Sequence, residues 1–464
     1  MRWLSIAWLL FCVACVKPES SLNNRKTIQS EVPSVSAQTL NGHGWGQPAL
    51  AVDLDPDPNV VRVSLVAEPL TYMVGDQTIE GYGYNGQVPG PTIMAKEGDR
   101  VIVDFVNGLD TGTTVHWHGL HVPFEMDGVV WQGAPVAPGQ SYRYEFVVNQ
   151  NGTYWYHPHF DTERTLDLGL YGALLVEEAD APSVTEDVVL VFDQWSENES
   201  KEMVMDHRDV DGAVRTWTVN GLVEPTFTVD AGSVVRARFI NAANSGYLLL
   251  RWPEMVLIGG DQGRLEAPAE VTEVLLAPGD RVEAIWRVGA EGFALESLPY
   301  TMLGGAAYGD ANILATLEVN GNAAKPPMPA IAFAQAPPSS PPTYADIVYV
   351  LQGNSSTGYW LMNGEVFPNI TIEELPLGAD TIIEVRNVSS SEHPFHLHGH
   401  EFEVVSRNGV SPAFRQMEDT INVSLYETVV LRLGANNPGD WMVHCHIQAH
   451  QYGGMMTVLR ILGE

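Results

Sequence analysis

An all-β chain of three consecutive Greek-key β-sandwich domains is predicted by three observations. The chain is rich in turn formers and alternating strand formers, with 43 Gly and 30 Pro among 464 residues. A turn-strand unit occurs three times at matching offsets. No segment sustains a helical period, so any helices should be short and peripheral.

The repeat is read directly from the residues. Asn85-Gly86, Asn220-Gly221 and Asn363-Gly364 each lead into a proline: Pro91, Pro225 and Pro368. Each is followed by a Gly-led alternating strand ending in Asn, namely residues 98–107 (GDRVIVDFVN), 232–241 (GSVVRARFIN) and 378–387 (GADTIIEVRN). The expected domains are 48–180, 181–324 and 344–464, with a Pro-rich linker at 325–343. Ahead of them, residues 1–15 read as an export signal and 16–47 as a polar, flexible tether.

Composition narrows the function classes. Against 24 basic residues stand 57 acidic ones, a net charge of −33, which argues against nucleic acid as a partner. Apolar content of 45% with an ordinary charged fraction excludes disorder. The apolar run from Trp3 to Val16 is too short to anchor stably in a bilayer. Ala14 before Cys15 resembles a bacterial lipoprotein signal, in which that cysteine becomes the lipidated N-terminus and a membrane tether; Cys12 stands where such signals carry Leu. A plain secretory signal is the alternative. Both put the mature chain in the periplasm or cell envelope.

Near the C-terminus, His444-Cys445-His446-Ile447-Gln448-Ala449-His450-Gln451-Tyr452-Gly453-Gly454-Met455 gathers a thiolate, three imidazoles and a thioether. Cysteine with two histidines and a weak axial methionine is a blue-copper ligand set. On an extended backbone, His444 and His446 face one side and Cys445 the other, so one tripeptide can serve two metal centres. Ten of fourteen histidines fall in four groups: His116/His118, His157/His159, His393/His396/His398 and His444/His446/His450. A His-x-His pair on a strand presents both imidazoles to the same face. The corresponding loop of the middle repeat, residues 242–247 (AANSGY), has no histidine, so that domain reads as a spacer.

With these motifs in hand, HWHG at 116–119, HPH at 157–159, HPFHLHGH at 393–400 and HCHIQAHQYGGM at 444–455, the chain resembles the three-domain multicopper oxidases from about residue 50 to its end. The resemblance implies cupredoxin-like sandwiches and four coppers per chain. It assigns His393, Cys445, His450 and axial Met455 to a type 1 copper, and His116 and His396 to a type 2 copper. His118, His157, His159, His398, His444 and His446 fall to a type 3 pair. The implied reaction couples one-electron oxidation of a phenol, aromatic amine or low-valent metal ion such as Cu(I) to four-electron reduction of dioxygen to water, by a chain expected to be a monomer. Cys445 is the electron junction. Asp127, before Gly128, stands where the family carries a proton-relaying Asp beside the cluster. The second acid common in the HCH segment is replaced by Gln448 and Gln451, so another acid or a water chain must serve. His121, His400, His43 and His207 lie off the ligand pattern, and Glu392, adjacent to His393, reads as an exposed loop residue, the alternative being a contact with an incoming cationic or phenolic donor. A nitrite-reductase reading fails because Pro158, not Cys, separates His157 from His159.

Overall fold

A computed structural model of the chain describes residues 45–463 apart from 198–202, 205–213, 302–306, 309–310, 323–326 and 355–357. The export signal, Cys15, His43 and His207 lie outside the described residues. Strands dominate, and the described helices are short turns such as Thr162–Asp167 and Gln448–Tyr452.

Each repeat folds the same way, for a visible reason. Asn85, Asn220 and Asn363 all adopt left-handed φ, followed by Gly86, Gly221 and Gly364 at +72°, +79° and +76°. This is the conformation that Asn-Gly tolerates best in a tight hairpin turn. Each turn Asn also ties down a neighbouring strand, accepting from the N–H of Val66, Val191 or Val350 through its side-chain oxygen. The strand-ending Asn107, Asn241 and Asn387 play a matching part. Their side-chain amides donate to two carbonyls each, across the start of the following loop. Buried carboxamides satisfied in this way lock the loops that carry, or in the middle repeat omit, the histidines.

The first sandwich has two four-stranded sheets drawn from residues 60–177. The middle one is a ten-stranded hydrogen-bonded array from residues 186–322. The last combines a six-stranded and a five-stranded sheet from residues 347–462. Alternation drives the layering: Asp380–Asn387 buries Thr381, Ile383, Val385 and Asn387 while its other side chains face outward or stay half-buried. Each sandwich has its own apolar core.

Two sequence expectations change here. The tether does not run to residue 47: Trp45 is 1% exposed in the middle core, against Phe227 and Trp286. An indole that size gains more from burial than from staying on a polar leader. The helices are not all peripheral either, since Gln448–Tyr452 buries Gln448, His450 and Gln451. The Pro-rich linker is a strap. Its Ile331 and Phe333 pack on Val234, Ile258 and Ile285, and Ser339 is held by Glu403.

Candidate metal centres

Two groups of ligand-type side chains emerge. The first lies wholly within the last sandwich. His393 begins the strand His393–Leu397, Cys445 ends the adjacent strand Gly439–Cys445, and His450 follows on the short helix. The pairing of Phe395 with Cys445 sets the two strands in register. Cys445 Sγ lies 3.5 Å from His393 Nδ1 and 3.4 Å from His450 Nδ1, and the two imidazole nitrogens are 3.1 Å apart. His393 Nε2 donates to Ser389 Oγ at 2.6 Å, which turns Nδ1 toward the sulfur. Met455 is fully buried beside them, its carbonyl accepting from the Cys445 N–H. Burial lowers the His393 imidazole to about 3 and pushes the Cys445 thiol up. A neutral imidazole is ready to ligate, whereas this thiol needs a bound cation to become a thiolate.

The second group is the remaining eight histidines, at most 6% exposed, drawn from both ends of the chain. His116–His118 pairs with Gly152–His157, setting His116 opposite His157. His396 pairs with His444 on adjacent strands of one sheet of the last sandwich. The rings then interleave: His116 stacks on His398, and His118 on His396, each at 3.9 Å between centroids. His398 Nε2 and His444 Nε2 face each other at 3.2 Å. His446 completes the group, 5.0 Å from the His118 ring and 5.7 Å from that of His444. Cys445 thus sits in one group while its neighbours on both sides sit in the other, as strand alternation requires.

The rings are also oriented. His116 Nδ1 donates to the Asp127 carbonyl, His157 Nδ1 to the Pro158 carbonyl and His444 Nδ1 to the Cys445 carbonyl. The far nitrogens of His116 and His157 are left over. Among these eight, His116 Nε2, His118 Nδ1, His157 Nε2, His159 Nε2, His396 Nε2 and His446 have buried ring nitrogens with no hydrogen-bond partner. Orphaned nitrogens converging on one place are costly unless something binds there. Burial, reinforced by the neighbouring imidazoles, drives the pKa of His118, His157, His159, His398, His444 and His446 well below the usual range. All are therefore neutral donors. Triads such as His116/His159/His398 and His396/His398/His444 have donor atoms within 4.8 Å of one another, as do His393/Cys445/His450. Imidazoles, with a thiolate in one set, fit copper.

Asp127 lies against the histidine cluster. It follows the turn Phe124–Met126, and a Cβ on the next residue, Gly128, would lie 2.0 Å from the Val115 carbonyl, so only glycine lets this loop reach the histidine strand. Its Oδ2 accepts from His398 Nδ1 at 2.9 Å, and Oδ1 is buried without a hydrogen bond, 3.1 Å from His116 Nδ1. Gln448 donates to the His446 carbonyl, and Gln451 is buried nearby. His121 and His400 stay out of both groups.

Sequence reasoning missed a second carboxylate. Asp419 Oδ1 accepts from His118 Nε2 at 3.1 Å, and its carbonyl accepts from His396 Nδ1 at 2.9 Å. Burial alone would raise this carboxyl, but Arg281 and the two histidines outweigh it and hold it well below the carboxylate range. The only signal was an acid pair, Glu418-Asp419, inside an otherwise strand-forming stretch. Glu392 is corrected outright. It is fully buried, accepting from Asn422 at 2.6 Å and from Tyr300 at 3.1 Å, because the middle sandwich covers that loop. Trp360 was also unforeseen; it lies over His450 at 3.7 Å between centroids.

Comparison with known proteins agrees with this geometry. Family models described as multicopper oxidase match residues 67–181 and 337–463. A multicopper oxidase of Mycobacterium tuberculosis is 26% identical over 86% of this chain and 86% of its own length. The crystal structure of a multi-copper oxidase from Pseudomonas thermotolerans is 31% identical, covers 87% of this chain and 99% of its own, and superposes with a TM-score of 0.76. A multicopper oxidase from Campylobacter jejuni described as a metallo-oxidase is 25% identical, with 93% and 100% coverage and a TM-score of 0.76.

Proposed function

The chain belongs to the multicopper oxidase family, and from that premise we propose that it takes single electrons from a small reducing substrate at His393, Cys445 and His450 and delivers them to dioxygen among the eight histidines. It is an oxidoreductase, and copper, dioxygen and a reducing substrate come with the family. The finer assignment is ours. His393, Cys445, His450 and Met455 would hold the type 1 copper, and His116 and His396 the type 2. His118, His157, His159, His398, His444 and His446 would hold the type 3 pair. Bound copper supplies the redox chemistry, four electrons and four protons converting one dioxygen to two waters.

The observation that carries this reading is the placement of Cys445 between His444 and His446, one peptide bond from each, with its sulfur in one centre and their rings in the other. The protein supplies a covalent route between the two groups. Burial of all eight histidines keeps bulk water from their free nitrogens. Asp127 holds the Nδ1 proton of His398 and keeps a second oxygen unpaired, which suits a proton reservoir. Neither Gln448 nor Gln451 offers a carboxylate.

The flank of His450 favours an aromatic donor. Trp360 covers the ring, and Tyr359 and Tyr452 next to these residues are 62% and 79% exposed. Glu392, the carboxylate beside His393, is committed to Asn422 and Tyr300 and is not free to receive a metal ion. The test is oxygen uptake by the copper-loaded chain with a phenol, Cu(I), Fe(II) and Mn(II) side by side. Fastest uptake with the phenol is expected; uptake with metal ions alone would overturn the donor class, and none with any donor would overturn the oxidase reading. We also place the mature chain outside the cytoplasm, on the strength of residues 2–16. Radioactive fatty acid should label the wild type if Cys15 is lipidated, and absence of label would leave a cleaved secretory signal.

A further inference from the structure

We propose that the middle sandwich is a working part of the histidine cluster and sets the orientation of His118 and His396 through Arg281, a positioning residue. This replaces the spacer role expected from the absence of histidine in its 242–247 loop, and it rests on the reading of the clustered histidines as copper ligands.

Arg281 opens the strand Arg281–Arg287 and is 1% exposed. An arginine so deeply buried must place its donors well or lose more in desolvation than its charge returns. It does so by reaching all three sandwiches. Nε donates to the Thr153 carbonyl of the first at 3.0 Å. Nη2 donates to the Asp261 carbonyl at 2.7 Å, and Nη1 to the Gly279 carbonyl at 3.2 Å, both in the middle one. The fork then closes on Asp419 of the last sandwich, Nη1 to Oδ1 at 2.9 Å and Nη2 to Oδ2 at 2.6 Å. Gln262, also from the middle sandwich, adds a donor to Oδ2 at 2.6 Å.

What Asp419 does once pinned is specific. Its Oδ1 accepts from His118 Nε2 and from the Thr420 hydroxyl, whose oxygen lies 3.1 Å from both His118 Nε2 and His396 Nδ1. Fixing Nε2 of His118 outward leaves Nδ1 as the orphaned nitrogen that faces the cluster. For a histidine, the partner of one ring nitrogen decides which nitrogen is free to ligate.

Two glycines independently mark the same arrangement. A Cβ on Gly119, directly after His118, would sit 2.5 Å from Arg281 Nη2 and 2.7 Å from Asp419 Oδ2, so the clamp occupies the room a side chain would need. A Cβ on Gly279, two residues before Arg281, would lie 3.2 Å from the His446 ring and 3.3 Å from His118 Cε1. The middle sandwich therefore walls the cluster as well as clamping it. A lysine in place of Arg281 keeps a charge but cannot reproduce the paired contact with both carboxylate oxygens.

The test uses the full chain, copper-loaded, as wild type, Arg281→Met and Arg281→Lys. Copper per chain, blue absorption, the type 2 paramagnetic resonance signal and the near-ultraviolet absorption of the coupled pair are the readouts. Arg281→Met should fall from four coppers toward one, losing both cluster signals several-fold while blue absorption per chain is unchanged. Arg281→Lys should fall between, and it carries the test if the methionine variant does not fold. Four coppers with unaltered cluster signals, beside a copper-loaded wild type, would overturn this inference alone. Parallel loss of blue absorption in both variants would overturn it too, because Arg281 would then support the fold at large. A wild type that takes up no copper would overturn the ligand reading, and this inference with it.

Discussion

The site around Cys445 and the cluster of eight histidines are built from the same residue types by opposite routes. His393, Cys445, His450 and Met455 come from two paired strands and one adjoining turn of a single sandwich. Their backbone partners are neighbours, such as Cys445 N–H to the Met455 carbonyl. The cluster draws rings from both ends of the chain, and its orienting contacts cross larger distances. His398 meets Asp127 over 271 positions, His118 meets Asp419 over 301, and Arg281 meets Asp419 over 138. A locally built site inherits its geometry from strand register. A cross-domain site must be held in register by contacts that no local rule dictates, and here these are carboxylates and a buried arginine.

Cys445→Ser gives the largest expected effect and tests whether the two regions are separable. Blue absorption should vanish and oxygen uptake should fall below detection, while the type 2 resonance signal survives. Joint loss of both signals would break the comparison. Asp127→Asn should act on the cluster side only, lowering dioxygen reduction by about 10²-fold with the blue colour intact, the scale of a lost proton-transfer group. Unchanged steady-state turnover would remove Asp127 from proton supply.

Glu283 tests the joint between the first and middle sandwiches, where it accepts from Thr153, Arg236 and Arg238. Burial works against its charge, but Arg238 and Arg236 outweigh it and lower its pKa to about 2. A depressed acid contributes stability that is fully present above its unfolded value near 4.5 and is lost as pH falls toward 2. That contribution is roughly 3 kcal/mol at neutral pH. Chemical denaturation of Glu283→Gln should show at least that loss at pH 7 and a flatter pH dependence between these two values. An unchanged acid limb would place the acid sensitivity elsewhere. The smallest effect is expected of Tyr452→Ala, whose ring is 79% exposed at the flank of the locally built side. Removing one exposed ring should raise the KM for a phenol by about 3-fold to 10-fold and leave the cluster signals alone. A fall in kcat with unchanged KM would point to a role in electron passage in place of donor binding.

Much of this molecule was legible in the chain itself. The three Asn-Gly turns could be read because φ near +50° followed by glycine has few alternatives, and all three take that form. The division of His444, Cys445 and His446 between two centres followed from the two-residue period of an extended strand. Asp127 could be singled out only through the resemblance, since a local reading makes it no more than a turn residue before Gly128. Other residues gave no such cue. Glu392 looked like a loop acid because nothing local shows that Tyr300 and Asn422 cover it. Nothing local singles out Asp419 or Arg281.

The sequence by itself determined which side chains can ligate, that they fall into two sets, and that Cys445 joins them, because ligand type and strand periodicity are local properties. Only the tertiary structure decided which nitrogen of each imidazole faces inward, which acid supports the cluster, and that a middle domain with no histidine in its matching loop borders the cluster. Those choices depend on hydrogen bonds and one buried ion pair between segments far apart in the chain. Such contacts form only when the three sandwiches have closed on one another.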